Sequence, residues 1–401
     1  MEQSALAREN AAFGRFYTSD FVGDALVQSM IASPSNVVDL GAGGGSLSAA
    51  AARRWHGTKI VTVDIDSRAV LQVQESHSRP RHTHIHADVL DSRLPSRLVR
   101  NGKRFDAAIC NPPYIIPEWK ASFAHILEEA NLSCVLNKGI MIGADVLFLA
   151  QNLRVTRDRA ELGLIVPDGI ITGAKLACLR AALVEQHCIR SVVQLPRGCF
   201  KGTDAQAFIL IFEKATLQTK TIQLTTLTDD SCKADPILID AMSAVDRCDY
   251  NYYAARRTSA RGWTLMDAKA EITRGSLQAK DARQKGIKCF HTSSFPEVGS
   301  KQLRLTTNAP KVGDKKLVIA APGDILVARV DRNLHRKVAI VLSGRAVLTD
   351  CVFRIRVPRT WRKRVFEALS SPRGSRALNA VARGVGAKLL TKANLLQIRL
   401  S

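Results

Sequence analysis

The chain has 401 residues, 46% of them apolar and 23% charged, a composition suited to a packed protein of two or three domains. Lys and Arg number 58 against 36 Asp and Glu, a formal charge of +22 that predicts an anionic partner, nucleic acid or an anionic membrane surface. The absence of any apolar run of about 18 residues speaks against a transmembrane helix, and Met1–Asn10 lacks the apolar core of a secretory signal. Nine cysteines without a Cys-x-x-Cys pair argue against a zinc ribbon and for reduced thiols, so a cytoplasmic protein is expected.

In chain order, short apolar runs predict strands at Asn36–Leu40, Lys59–Val63, Phe105–Cys110, Leu162–Val166, Ser191–Gln194 and Ala207–Phe212. Helix-compatible segments at Ser46–Trp55, Arg68–Glu75, Met141–Arg154 and Leu176–Glu185 alternate with them. That alternation favours an α/β fold with a parallel sheet covered on both faces. Charge then divides the chain. Residues 1–245 hold 26 Lys/Arg and 25 Asp/Glu, a net of +1, whereas residues 246–401 hold 32 and 11, a net of +21. A near-neutral unit followed by a polyanion-binding one is the direct reading, with the seam in the polar stretch from Thr228 to Asp249. The basic half has shorter apolar runs, Asp324–Val330 and Lys337–Leu342, and reads as mixed β-rich structure ending in a helix.

Asp39-Leu40-Gly41-Ala42-Gly43-Gly44-Gly45 follows the first predicted strand and opens a helix. Glycines there permit positive φ and a close ligand approach. Asp64 ends the next strand, where a carboxylate can bind ribose hydroxyls. There is no Gly-Lys-Ser/Thr for a phosphate cradle. Two acids, Asp39 and Asp64, would repel a pyrophosphate but suit an uncharged ribose and a cationic methionine, which favours S-adenosylmethionine over NAD. His82, His84 and His86 alternate along one strand face before Asp88, but no second ligand cluster supports a metal, and none is expected.

Asn111-Pro112-Pro113-Tyr114 directly follows the strand Phe105–Cys110, at the end where parallel sheets bind ligands. Two prolines stiffen the loop and remove N–H donors. The Asn side-chain oxygen and a neighbouring carbonyl then form a pair of acceptors for one NH₂ group, with Tyr114 as a flat stacking face. An exocyclic amine is a poor nucleophile because its lone pair is delocalised into the ring. Two converging acceptors draw it toward tetrahedral geometry, after which methyl transfer needs mainly alignment.

The ordered set Phe16-Tyr17-Thr18, Asp39-x-Gly41-x-Gly43-x-Gly45, Asp64, Asp88 and Asn111–Tyr114 resembles the gamma class of adenine-N6 DNA methyltransferases of restriction–modification systems. Val166–Gly169, Gln194–Pro196 and Phe200–Thr203 look like their modification subunits, so the resemblance spans residues 13–214. It implies a class I S-adenosylmethionine-dependent, Rossmann-like sheet. By that similarity Thr18, Asp39, Gly41, Gly43 and Asp64 would contact S-adenosylmethionine, and Asp88 its adenine. Asn111 and Pro112, stiffened by Pro113, would hold the target amine, with Tyr114 and Phe200 stacking on the flipped base. Flipping is required because the N6 amine of a stacked, paired adenine cannot reach a buried cofactor. Two departures stand out: Ser19-Asp20 where the family usually continues with Pro, and no long N-terminal helical domain, which favours a stand-alone enzyme.

Gly323–Arg329 and Arg383–Ala387 look like pieces of target-recognition domains of specificity subunits. Residues 1–245 are therefore expected to be the catalytic domain, and 246–401 a smaller mixed α+β recognition domain for double-stranded DNA. Its phosphate contacts are expected from Arg329, Arg332, Arg336 and Lys337 and from Arg359, Arg362, Lys363 and Arg364 around Trp361. No nuclease constellation is evident, so a cognate restriction endonuclease would be a separate chain, and no membrane contact is expected. Three other readings compete. A release-factor glutamine-N5 methyltransferase shares the motifs but ends soon after the catalytic sheet. An inactive DNA-binding module would not need the intact loop. Cytosine-N4 methylation is chemically close, with Asn at position 111 favouring adenine, while C5 methylation lacks a Pro-Cys dipeptide.

Overall fold

The computed structural model describes residues 18–66, 81–99, 102–138, 141–200, 205–228, 234–258, 262–284, 286–296, 301–306, 317–384 and 387–401. The expected helix Arg68–Glu75 and residues Phe16, Tyr17, Lys201–Thr203, Val385 and Gly386 lie outside them. Among the described residues no helix is long and apolar enough to cross a membrane. The chain divides into two compact units, Met1–Tyr250 and Asn251–Ser401.

The first unit is built on nine strands: β1 (Asn36–Leu40), β2 (Lys59–Asp64), β3 (Arg81–His86), β4 (Phe105–Cys110), β5 (Thr156–Pro167), β6 (Cys188–Gln194), β7 (Ala207–Glu213), β8 (Thr221–Thr226) and β9 (Ile237–Asp240). Their order across the sheet is β3-β2-β1-β4-β5-β7-β6-β8-β9. Strands β3 to β5 are mutually parallel, as the alternation predicts. The sheet as a whole is mixed, a correction to the all-parallel expectation, because β7 runs antiparallel between β5 and β6. The twelve residues between Gln194 and Ala207 would allow a return in either direction, so the length of the link does not set the antiparallel pairing. The stretch read as a seam contains β9, which pairs with β8. Only Ile237 and Ile239 turn inward there, too brief an alternation to stand out in sequence.

Helices α1 (Asp20–Ser29), α2 (Ser46–Arg54), α3 (Ala121–Glu129), α4 (Ala144–Val155) and α5 (Ala177–Gln186) pack around this sheet. Val22 and Leu26 of α1 and Leu47 and Ala50 of α2 share a core with Val37, Ile109 and Ile165 of the strands. Strand β1 is buried from Val37 to Leu40, as an interior parallel strand must be. It lies between β2 and β4, so the chain leaves it in one direction and returns on the other side. Ligands bind at such a switch point, beyond the carboxyl ends of the strands.

The second unit has a five-stranded sheet of Glu271–Arg274, Val352–Arg356, Ile325–Ala328, Val338–Ser343 and Gln302–Arg304. Its core joins Ile325–Ala328 to Val365 and Leu369 of helix α7 (Arg359–Ser370) and Leu378 of α8 (Pro372–Val381). Helix α6 (Tyr250–Thr258) begins this unit. The expected terminal helix is Lys392–Leu396, but a further short strand, Arg399–Leu400, follows and pairs with Trp263–Thr264.

Candidate active site

The ends of β1, β2, β3 and β4 open on one cavity of about 250 Å³. Thr18, Gly41, Gly43, Asp64, Asp88, Asn111, Pro112 and Pro113 line it, so most residues expected at the site meet in one place. Sequence reading missed its apolar wall, which comes from Leu47, Ile65, Val89, Ile115 and Phe148. These lie in ordinary helical or strand-end positions that carry no motif.

Two glycines have distinct reasons to be there. Gly41 has φ +78°, and a Cβ at that position would stand 2.8 Å from Phe148 Cε1. Gly43 has φ +53° and nothing within 4 Å of where its Cβ would be, leaving the loop backbone open to the cavity. The loop is pinned from below: the Gly41 N–H donates to Val63 O at 2.7 Å. It is pinned from the side by Asp64, whose Oδ2 accepts the Gly43 N–H at 2.8 Å and whose Oδ1 accepts the Asp66 N–H at 2.8 Å. Asp88 is exposed at the cavity edge, with Oδ1 accepting the Leu90 N–H at 2.8 Å.

Asn111 stands at the other wall. Its Nδ2 donates to Thr18 Oγ1 at 3.0 Å, which sets the orientation of the amide and gives Thr18 a second role beside lining the cavity. Pro112 is buried and Pro113 half-buried.

A model of the family described as N-6 DNA Methylase matches residues 3–243. The chain belongs to that family. Over 83 residues the chain is 40% identical to a tRNA1(Val) (adenine(37)-N6)-methyltransferase of Vibrio vulnificus (strain YJ016), covering 20% of this chain and 32% of that protein. It is 27% identical over 117 residues to a putative type II restriction enzyme and methyltransferase of Methanocaldococcus jannaschii, covering 27% of this chain and 9% of that protein. The chain thus spans 32% of the length of the first of these relatives. The solved type IIG restriction endonuclease BpuSI superposes on 95% of this chain and 58% of its own, with TM-score 0.54 and 14% identity. That likeness is one of fold: a mixed α/β sheet with helices, followed by a further unit.

Three expected contacts of the chain need correction or refinement. Asp39 does not line the cavity: it is fully buried beneath the glycine loop, with Oδ2 accepting the Ser48 hydroxyl at 2.6 Å. Burial is the chief reason its carboxyl is pushed up to about 7, and the neighbouring Asp64 adds to the shift. Phe200 is 2% exposed in the core with Leu195, Ile209 and Leu227, so its ring has no free face for a base. An aromatic residue next to a motif is more often core than stacking platform, and sequence alone did not separate the two. Tyr114 is half-buried and outside the cavity lining; burial chiefly, and then Asp145, push its phenol well above the usual range. Asp145, in the first turn of α4, is itself pushed up to about 6 by burial.

The alternating histidines bind protein, not one another. His82 Nε2 and His84 Nδ1 both lie 2.9 Å from Thr62 Oγ1 on the adjacent strand. Among the described residues, no three His, Cys, Asp or Glu side chains are placed to hold a metal.

The basic runs of the second unit separate into engaged and exposed residues. Arg329 donates from Nε to Asp350 O, and Lys337 Nζ bonds Asp331 at 2.7 Å and Thr292 O at 3.0 Å. Both are structural cations here, a correction to their expected place at the DNA. Arg362 is half-buried against Gly323. Arg332, Arg336, Arg359, Lys363 and Arg364 are exposed. Arg364 sits 5.1 Å from the ring centroids of both Trp263 and Trp361, and Lys363 lies 3.9 Å from Glu367.

Proposed function

We propose that this protein transfers a methyl group from S-adenosylmethionine to the N6 amine of an adenine turned out of double-stranded DNA. The observation that carries the reading is that the glycine loop, Asp64 and Asn111–Pro113 line one cavity, although 47 residues separate Asp64 from Asn111 in the chain. The cavity fits the cofactor: Gly43 leaves its floor open, Asp64 offers a carboxylate for ribose hydroxyls, and Leu47 and Phe148 supply apolar walls for an adenine. Asp88, at the edge, is suited to that adenine's polar rim. When bound, S-adenosylmethionine supplies the electrophilic methyl group.

The protein's own contribution is orientation. Thr18 holds Asn111 by its Nδ2, which turns the amide oxygen away from Thr18. That oxygen and the Pro112 carbonyl form the acceptor pair for the incoming amine, in the manner of positioned groups that act as charge develops. With Phe200 in the core, Tyr114 is the one of the two expected stacking rings that is left to the base. Residues 1–250 are read as the catalytic unit and residues 251–401 as the DNA-recognition unit, on the strength of the second unit's charge. We place the protein in the cytoplasm with its DNA, and any cognate restriction endonuclease in a separate chain.

Structured RNA is the second reading, because a relative 40% identical over 83 residues is named for adenine-N6 methylation of tRNA. The test offers purified protein with labelled S-adenosylmethionine duplex DNA, tRNA and a protein acceptor, then digests the product to nucleosides. N6-methyldeoxyadenosine is expected, and DNA already methylated at the target adenines should accept no label. Label entering tRNA alone, a glutamine side chain or cytosine would overturn the proposal.

A further inference from the structure

The second unit carries two adjoining cavities that meet at Ala255 and Ala377. One, of about 210 Å³, is lined by Tyr252, Arg256 and Arg399 among others; the second, of about 450 Å³, by Arg373 and Arg376. Four exposed arginines thus converge from α6, α8 and the closing strand Arg399–Leu400, and among the described residues no acidic side chain lines either cavity. None of the four belongs to the basic runs that the sequence singles out.

Their partners matter as much as their number. Arg329 and Lys337, like Arg354 and Arg356, face carboxylates: Asp350, Asp331, Glu271 and Asp324 respectively. Arg256 instead donates to the Tyr252 hydroxyl at 2.8 Å and lies 5.4 Å over its ring, and Arg373 donates to Ser401 Oγ at 3.1 Å. A neutral partner orients a guanidinium without cancelling its charge. Arg399 is the partial exception: it donates to the Gly262 carbonyl at 3.5 Å and feels the carboxylate of Asp267, which hydrogen bonds from Thr264 chiefly, and then Arg399, hold below the usual carboxylate range.

We propose that this concave face of α6, α8 and the closing strand is the surface that binds the phosphodiester backbone of DNA. The proposal rests on the DNA substrate proposed above and names the residues that hold it. Arginine suits the task because its planar fork meets phosphate oxygens in pairs and stays charged at all working pH values. Phosphate contacts of this kind position the duplex and carry most of the salt dependence of binding.

The experiment measures the affinity of the full chain for a fluorescent duplex across a salt series. Replacing Arg256, Arg373, Arg376 and Arg399 by Gln should flatten the plot of log K against log salt by about 0.9 for each phosphate that is no longer neutralised. The single change Arg376→Gln, on an exposed helix position, should remove about 0.9 and guards against misfolding of the fourfold variant. The pair Arg332→Gln with Arg336→Gln probes the competing surface that the basic runs suggest, and should flatten the slope less than the four arginines do. If the competing pair flattens the slope and the four arginines do not, the surface is wrong while the DNA substrate stands. If the wild-type chain shows no salt-dependent affinity for DNA, the substrate reading falls and the surface with it.

Discussion

In the first unit the side chains that bear chemistry are few, mostly sheltered, and held by neighbours at fixed distances. Asp39 is buried and bonded to Ser48, Asp64 accepts the Gly43 N–H of the glycine loop and the nearby Asp66 N–H, and Asn111 is oriented by Thr18. In the second unit cationic side chains are numerous and much of the charge stands at the surface, where water and salt weaken each one. The first arrangement can discriminate atoms; the second can hold a polyanion by summed attraction. A site of the first kind should fail when one residue changes. A surface of the second kind should fail by degrees.

The largest expected effect falls on the first kind. Asn111→Ala should lower kcat by on the order of 10²–10³, the usual cost of removing one positioned group that acts as charge develops, while DNA affinity stays near wild type. Rapid single-turnover methylation separates the two quantities. Equal kcat in the variant would break the contrast between the units. Gly41→Ala comes next. Its φ of +78° and the 2.8 Å approach to Phe148 combine strain with a clash, so cofactor affinity should fall by the equivalent of about 1–3 kcal/mol. Adding Phe148→Leu should relieve the clash but not the strain. Titration calorimetry on the two variants reads that difference.

How legible each unit is from sequence follows from the same contrast. Asn36–Leu40 and Phe105–Cys110 were readable to the residue because interior parallel strands are short, mostly apolar runs. The glycine loop and Asn111–Tyr114 were readable because the loop that ends a strand carries its ligand contacts in consecutive residues. Leu47 and Phe148 were not, since an apolar residue facing a cavity looks like one facing a core. Phe200 failed in the opposite direction, an apparent stacking residue that the core absorbs. Strand β7 was found, but its direction depends on what the chain does between β6 and β7, which periodicity does not report. In the second unit the excess of charge was visible and its use was not. Arg329 and Lys337 are adjacent to other cations in sequence but lie beside Asp350 and Asp331 in space. Arg256, Arg373 and Arg399 are far apart in sequence and line adjoining cavities.

Smaller effects sharpen the comparison within the first unit. Thr18→Val removes the acceptor for Asn111 Nδ2 and should cost kcat about tenfold, the worth of one hydrogen bond, with Thr18→Ser restoring it. Cofactor affinity should move less than kcat if orientation of Asn111 is the main role; the reverse split would make Thr18 chiefly a cofactor contact. Phe200→Leu should leave kcat unchanged and lower stability by about 1 kcal/mol, since it conserves most of the core volume. Chemical denaturation and steady-state kinetics together decide it, and a loss of activity without a loss of stability would return Phe200 to the target base.

The smallest expected signal concerns Asp39 and needs its sign worked out. Its carboxyl is raised from 3.8 to about 7 by burial, so the folded protein keeps a proton there that the unfolded chain has already released. The stability this provides is present below about pH 4 and is lost as pH rises toward 7. A cationic ligand on the glycine loop favours the ionised carboxylate, as Ser48 does through its 2.6 Å hydrogen bond, and opposes the effect of Asp64. Binding of S-adenosylmethionine at pH 7 should therefore release a fraction of a proton. Calorimetry in two buffers of different ionisation enthalpy measures it, and Asp39→Asn should abolish the difference between buffers. No proton exchange by the wild type would mean that the ligand's charge lies too far from the loop to be felt, and uptake that the ligand acts mainly by burying the carboxyl further. The buried acid would then be a structural member of the first unit, tied to Ser48 alone.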